Sequence, residues 1–256
     1  MIRSLYTAVS GLISLEAKQD VISNNMANAN NGSYKAENLA IKKFDDVLIE
    51  NKDKLSGNRN VKQKIGKLCL GSRIDETKID FSPGILEETG KKTDFAIDGK
   101  GFFVVRKGDE ELYTRAGSFR VDPRGELITA NGEEVLGRNL TTGAVEPIAV
   151  GSGEISLNGN NDVYIDGRPK YSLLTANFND YNSLKRRGDN LYEGTNPNYN
   201  ERVYVKQRIL EKSNVNITKE MIDMITTMRN FESNQKVVQT IDETLNKAAN
   251  EVGAVK

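Results

Sequence analysis

Residues 217–252 read ITKEMIDMITTMRNFESNQKVVQTIDETLNKAANEV. Met221, Met224, Met228, Phe231, Gln235, Val238, Asp242, Leu245, Ala249 and Val252 form one alternating three-and-four series, apolar at all but Gln235 and Asp242. Residues at that spacing share one face of a helix. Ile222, Ile225, Val237 and Ile241 widen the face. No proline interrupts the run, and no glycine appears before Gly253. Thr218, with Glu220 in the first turn, reads as the N-cap. The spacing predicts a helix of about 35 residues, roughly 50 Å long at 1.5 Å per residue.

The other end of the chain carries a weaker copy of this pattern. Ile2, Leu5, Val9, Leu12, Ile22 and Met26 fall on a three-and-four series whose remaining members, Glu16 and Gln19, are polar. The run then meets Asn24-Asn25-Met26-Ala27-Asn28-Ala29-Asn30-Asn31-Gly32-Ser33. Asparagine side chains compete with helical hydrogen bonds, and Gly32 supplies a positive φ without strain, so the helix is expected to stop there.

Between the ends the period changes. Short β-prone runs such as Phe102–Val105, Leu112–Thr114, Ser118–Val121, Glu126–Thr129 and Val163–Ile165 alternate with Asp98-Gly99, Lys107-Gly108-Asp109, Asn131-Gly132, Asn158-Gly159 and Asp166-Gly167. Such dipeptides suit the tight turns of hairpins. The expected class is α+β: amphipathic N- and C-terminal helices flanking a mainly antiparallel β domain. The expected division is 1–34 (helix and turn), 35–91 (extended or loop, with a flexible charged stretch from Asn51 to Lys64), 92–216 (β domain) and 217–256 (helix). Each helical stripe is narrow. Periodicity alone leaves two readings open: the stripes meet each other and neighbouring subunits, or they pack on the β domain as ordinary core.

Composition removes most chemistry. Lys+Arg and Asp+Glu both total 36, so no global field draws in nucleic acid or an anionic surface. Lys185-Arg186-Arg187 is the densest basic patch and reads as a solvated turn. No histidine is present and Cys69 is the sole cysteine, which excludes Ser-His-Asp and Cys-His devices and the usual zinc cages. Cys69 is expected to act as a small buried hydrophobe. Gly84 to Thr93 misses the phosphate-loop spacing by one residue, with Lys92 standing where Ser or Thr is required. Asn158, Asn160 and Asp162 alternate as in a calcium loop, but Val163 occupies the glycine position. Asp94, Asp98, Glu110, Glu111 and Asp122 leave carboxylate-only hydrolysis conceivable, though no tryptophan is present to form a sugar platform. No run of about 18 apolar residues exists for a membrane span, and the N-terminus lacks the pattern of a cleaved signal.

Three stretches carry a resemblance. They are Leu5-Tyr6-Thr7-Ala8 through Asn24-Asn25-Met26-Ala27-Asn28; Asp94 to Val104, containing Gly99, Gly101, Phe102 and Phe103, followed by Tyr113-Thr114-Arg115-Ala116-Gly117-Ser118-Phe119; and Leu210-Glu211-Lys212-Ser213-Asn214-Val215-Asn216. Together and in this order they resemble the flagellar rod and hook axial family. One departure stands after the asparagine cluster. The family shows Thr, Gly, an aromatic and a basic residue; here Asn31 takes the Thr place and Gly32-Ser33 come in swapped order before Tyr34-Lys35.

The resemblance implies a non-enzymatic rod subunit without cofactor, closer to rod than to hook proteins and leaning to the distal rod. It implies export through the flagellar type III apparatus, self-polymerisation, and assembly with other rod and hook axial proteins in the basal body, without membrane insertion. The expected assembly surface is Leu5, Val9, Leu12, Ile22 and Met26 with Met221, Met224, Met228, Phe231, Val238 and Leu245. A hook-type axial protein and, from a different class, a secreted β-rich module acting on cell-wall carbohydrate are the alternatives.

Overall fold

The computed structural model describes residues 2–56, 59–201 and 203–252. The chain divides into two compact units. Unit 1 comprises Met1–Met26, Glu37–Lys78 and Ile217–Lys256, and unit 2 comprises Ala27–Ala36 and Ile79–Asn216. Residues 35–91 are thus shared between both.

Unit 1 holds the helices α1 (Ile2–Ala27) and α2 (Ile217–Lys247). Between them in sequence come β1 (Glu37–Lys43), β2 (Val47–Ser56), β3 (Arg59–Leu68) and β4 (Ser72–Ile79). β1 pairs with β4, and β2 with β3. The β2–β3 pair is a correction: a hairpin occupies most of the stretch expected as a flexible loop from Asn51 to Lys64, of which residues 57 and 58 lie outside the described residues.

α1 lies close to β4. Ser14 Oγ is 3.0 Å from Ser72 Oγ, and Ser72 N donates to Ser10 Oγ at 3.2 Å. Gly71 allows the approach. Its φ is +127°, and a Cβ there would stand 2.0 Å from Ser10 Oγ. α2 runs antiparallel to α1: Asn234 Nδ2 donates to Ala8 O at 2.8 Å, while Lys219–Asp223 line the same cleft as Lys18–Asn25. α2 begins at Ile217, so Asn216, not Thr218, precedes its first turn. This corrects the expected cap, and asparagine suits that position at least as well.

Unit 2 is built on a twelve-stranded antiparallel sheet. Its path runs Ile155–Leu157, Asp162–Ile165, Arg168–Leu173, Glu134–Asn139, Phe102–Lys107, Glu110–Thr114, Leu191–Glu193 and Lys185–Gly188. Phe102 and Phe103 show how it is covered. Consecutive strand residues point to opposite faces, yet both rings are fully buried. Phe103 packs edge-on to Phe119 on one side, and Phe102 packs with Phe178 and Tyr192 on the other. The sheet therefore has two apolar clusters, one on each face.

Candidate functional site

The second and third motif stretches, and Lys35 just past the first, meet inside unit 2 on one buried ion group. Glu211, at the end of the strand Ile209–Glu211, is fully buried, as is Lys35. Glu211 Oε1 accepts from Lys35 Nζ at 2.7 Å, Gly84 N at 2.8 Å and Arg115 Nη2 at 3.2 Å, and Oε2 accepts from Arg115 Nε at 3.0 Å. Arg115 Nη1 donates to Gly99 O and Gly101 O at 2.7 and 2.8 Å, and Lys35 Nζ to Ser82 O at 2.8 Å. Burial works to raise the Glu211 carboxyl, but Arg115 and then Lys35 outweigh it, so its pKa lies below the ordinary carboxylate value. Burial is also the main influence on Lys35 and lowers its ammonium, against the opposing pull of Glu211.

Asn214 adds a second tie. Its Oδ1 accepts from Ala36 N at 2.8 Å, and its Nδ2 donates to Asp80 O at 2.8 Å and Ser82 Oγ at 3.0 Å. The segment entering unit 2 is thereby held to the segment leaving it. Ser213 Oγ accepts from Val215 N at 3.2 Å, and Val215 is half-buried. Gly99 and Gly101 both have positive φ, +105° and +125°. A Cβ at Gly101 would meet Val203 Cγ2 at 2.6 Å, whereas Gly99 faces open space.

The asparagine cluster divides its work. Asn25 is buried, donates from Nδ2 to Glu37 O and accepts at Oδ1 from Glu37 N, both at 2.9 Å, so it bridges α1 to the start of β1. Asn28 Oδ1 accepts from Asn31 Nδ2 at 2.6 Å. Asn24 and Ala27 are exposed. The residue with positive φ is Ser33, at +59°, not Gly32 as expected. The swapped order of glycine and serine has left a buried serine in the left-handed turn, with its N–H on Glu211 O at 2.8 Å.

In unit 1 the expected stripe residues separate into three groups. Ile22 is buried. Leu5, Leu12, Met26, Met224, Phe231, Val238 and Leu245 are half-buried. Val9, Met221 and Met228 are exposed. The inward line of α2 is Met224, Thr227, Phe231, Asn234, Val238, Ile241 and Leu245. It leaves the expected series by one residue at alternate members, where Thr227, Asn234 and Ile241 replace Met228, Gln235 and Asp242. A second apolar row faces outward. It consists of Met221, Ile225 and Met228 on α2, flanked by Ile222, at 50, 53, 47 and 59 % exposure respectively. Tyr6, Val9 and Ile13 form its counterpart on α1, also exposed.

Other readings are corrected. Cys69 is half-buried, with its thiol directed at Gly71 O, 3.2 Å away, and Phe44 O. Arg186 is no part of a solvated turn. It belongs to the strand Lys185–Gly188, stacks 4.4 Å over the Tyr34 ring and donates to Lys35 O at 3.3 Å. Four of the five candidate acids have individual partners. Asp94 accepts from Thr89 Oγ1, Asp98 pairs with Lys206, Asp122 with Arg124, and Glu111 accepts from Tyr199.

Arg115 and Glu211 lie within the motif stretches and Lys35 just past the first, but nothing in the sequence separates these three from the other charged residues there, such as Asp20, Asp98 and Lys212.

Three family models match the chain. Residues 5–34 match that of the flagella basal body rod protein, residues 96–165 that of the flagellar hook protein FlgE/F/G D1 domain, and residues 206–251 that of the flagellar basal body rod FlgEFG protein C-terminal region. Arg115 and Glu211 fall inside the second and third, and Lys35 lies one residue past the first. The flagellar basal-body rod protein FlgG of Bacillus subtilis is 34% identical over 268 residues, covering 98% of this chain and 99% of its own. The hook-basal body complex protein FlhO of the same organism is 30% identical over the whole of both chains, and the rod protein FlgF of Caulobacter vibrioides 29%.

Proposed function

The chain belongs to the flagellar basal-body rod family and is a structural, non-enzymatic subunit of the rod; from that premise we propose that it polymerises through amphipathic helices whose outward apolar rows meet neighbouring copies. One observation carries this reading. Met221, Ile225 and Met228 on α2, and Tyr6, Val9 and Ile13 on α1, are exposed at helical spacing. Such rows on a helix are partner surfaces more often than they are left wet. A contact between two different patches repeats without closing and builds a filament.

The half-buried residues Leu5, Leu12, Phe231 and Leu245 then form the seam within each subunit, and Val9, Met221 and Met228 lie between subunits. No helix among the described residues is long and apolar enough to cross a membrane. The basal body is the site of assembly with other axial proteins. Delivery there through the flagellar type III apparatus completes the reading, and we read the subunit as distal rather than proximal rod.

The test is Val9→Asp together with Met228→Asp, carried by motile cells in place of the native chain. Both side chains are exposed, so the subunit is expected to fold and yet not enter basal bodies, and swimming is lost. Complete basal bodies containing the double variant would overturn the proposal. For the distal assignment, deletion of the gene is expected to leave a short rod without a hook. A completed hook in that strain would refute it.

A further inference from the structure

The sequence holds three Asn-Gly pairs: Asn31-Gly32, Asn131-Gly132 and Asn158-Gly159. An asparagine followed by glycine can lose its side-chain amide when the next backbone nitrogen reaches its Cγ, because glycine offers no Cβ to block the attack. The surroundings of the three pairs differ. Asn31 Nδ2 is held by Asn28 Oδ1 at 2.6 Å. Gly132 N is engaged as a donor to Thr129 O at 3.2 Å. Gly159 N instead donates to the side chain of Asn158 itself, 2.7 Å from Oδ1. Asn158 and Gly159 are both exposed, and a Cβ placed on Gly159 would meet nothing within 4 Å.

We propose that Asn158 is a spontaneous modification site, converted by water to an aspartyl or isoaspartyl residue ahead of the other two pairs. Hydroxide removes the Gly159 amide proton. The nitrogen attacks Asn158 Cγ, forming the N–Cγ bond. The Cγ–Nδ2 bond breaks, and ammonia leaves with a proton taken from water. One water molecule then adds to either carbonyl of the resulting succinimide and opens the ring. Opening at the side-chain carbonyl gives an aspartyl residue. Opening at the backbone carbonyl routes the main chain through the side chain, one carbon longer. No oxidant or reductant takes part.

The place matters because the turn that Asn158 begins positions a neighbour. Asn158 N donates to Asp162 O and Asn161 N to Asn158 O, both at 3.0 Å. Asn161, left-handed at φ +65°, donates from Nδ2 to Val203 O and accepts at Oδ1 from Val205 N at 3.2 Å. A longer backbone at 158 disturbs this turn and loosens the start of the strand Tyr204–Gln207.

The experiment incubates the purified full-length chain in mildly alkaline buffer and follows all three pairs by peptide mass mapping, with hydrogen exchange read at 203–205. Conversion at Asn158 is expected about fivefold faster than at Asn131, the rate equivalent of the one backbone hydrogen bond that Gly132 must give up. Exchange at 203–205 rises as isoaspartate accumulates. Gly159→Ala fits the open space and is expected to slow conversion at Asn158 to the level of Asn131 or below. Equal or faster conversion at Asn131 or Asn31, or an unchanged rate in Gly159→Ala, would overturn the proposal. The outcome does not depend on the rod reading.

Discussion

The two units divide the apolar side chains unequally. Among the described residues of unit 1, Ala8 and Ile22 are the only buried hydrophobics; every other one belongs to unit 2. Exposed large hydrophobics show the reverse. Unit 1 carries most of them, from Tyr6 and Ile13 through Val47, Ile65 and Ile74 to Met228 and Val237, whereas unit 2 exposes Ile85, Val121, Leu140, Val145 and Tyr204. At roughly 25 cal/mol for each Å² of apolar surface removed from water, unit 2 has the larger share of the folding drive within its own sheet. Unit 1 leaves much of its share unspent. The difference is that between a part whose apolar surface is covered and a part whose apolar surface is largely bare.

The sharpest way to break this contrast is at the ion group. Glu211→Gln leaves Lys35 and Arg115 buried without a counter-charge, and is expected to lower the stability of unit 2 by about 3–5 kcal/mol. Urea unfolding, with hydrogen exchange read at Phe102–Val105, measures it. A loss below about 1 kcal/mol would mean that the three segments carrying these charges meet there without consequence. The wild-type chain carries a matching pH signature. The folded carboxyl of Glu211 titrates below its unfolded value of 4.5, so its contribution is complete above that value. It is lost as pH falls through the lower folded pKa. Acid unfolding of Glu211→Gln is expected to lack that component.

Asparagine provides a like-for-like comparison between units. Asn214→Ala removes the acceptor for Ala36 N and the donor to Asp80 O and Ser82, at an expected cost of about 2 kcal/mol. Asn25→Ala releases both polar groups of Glu37, but Glu37 is half-buried and water can replace the side chain, so about 1 kcal/mol is expected. Thermal melts of the pair test the order, and a larger loss from Asn25→Ala would reverse it.

Ser33→Gly is expected to act in the other direction. It relieves a left-handed serine and adds about 0.5–1 kcal/mol of stability. A fall in Tm would show that the hydroxyl matters more than the backbone. Smallest of all, Met228→Ser is expected to change monomer stability by no more than about 0.5 kcal/mol, because its side chain is already half in water. Under the proposed assembly its effect is expected in incorporation into basal bodies.

The helices and the β domain were legible because each imposes a period on its residues. The inward line of α2 was legible only at Met224, Phe231, Val238 and Leu245. Polarity pointed away from Thr227 and Asn234, yet Asn234 faces inward to reach Ala8 O. The ion group could not be read, since residues 35, 115 and 211 have no spacing relation and are brought together only by the tertiary fold. The β2–β3 hairpin is the opposite case: its pairing is local, but its run of charged and polar residues carries no strand-like alternation in sequence.

Gly84 N donates to Glu211 Oε1, and Asn214 Nδ2 to Ser82 Oγ. The long stretch of chain between Gly84 and Leu210 therefore starts and finishes at one small spot, like a drawer that opens and shuts through a single slot. Whatever length is added or removed inside it, at an exposed turn such as Thr141–Gly143, the distance between entry and exit stays the same. That stretch closes on itself, and a guest domain spliced into the turn is expected to leave Gly84 and Glu211 in contact.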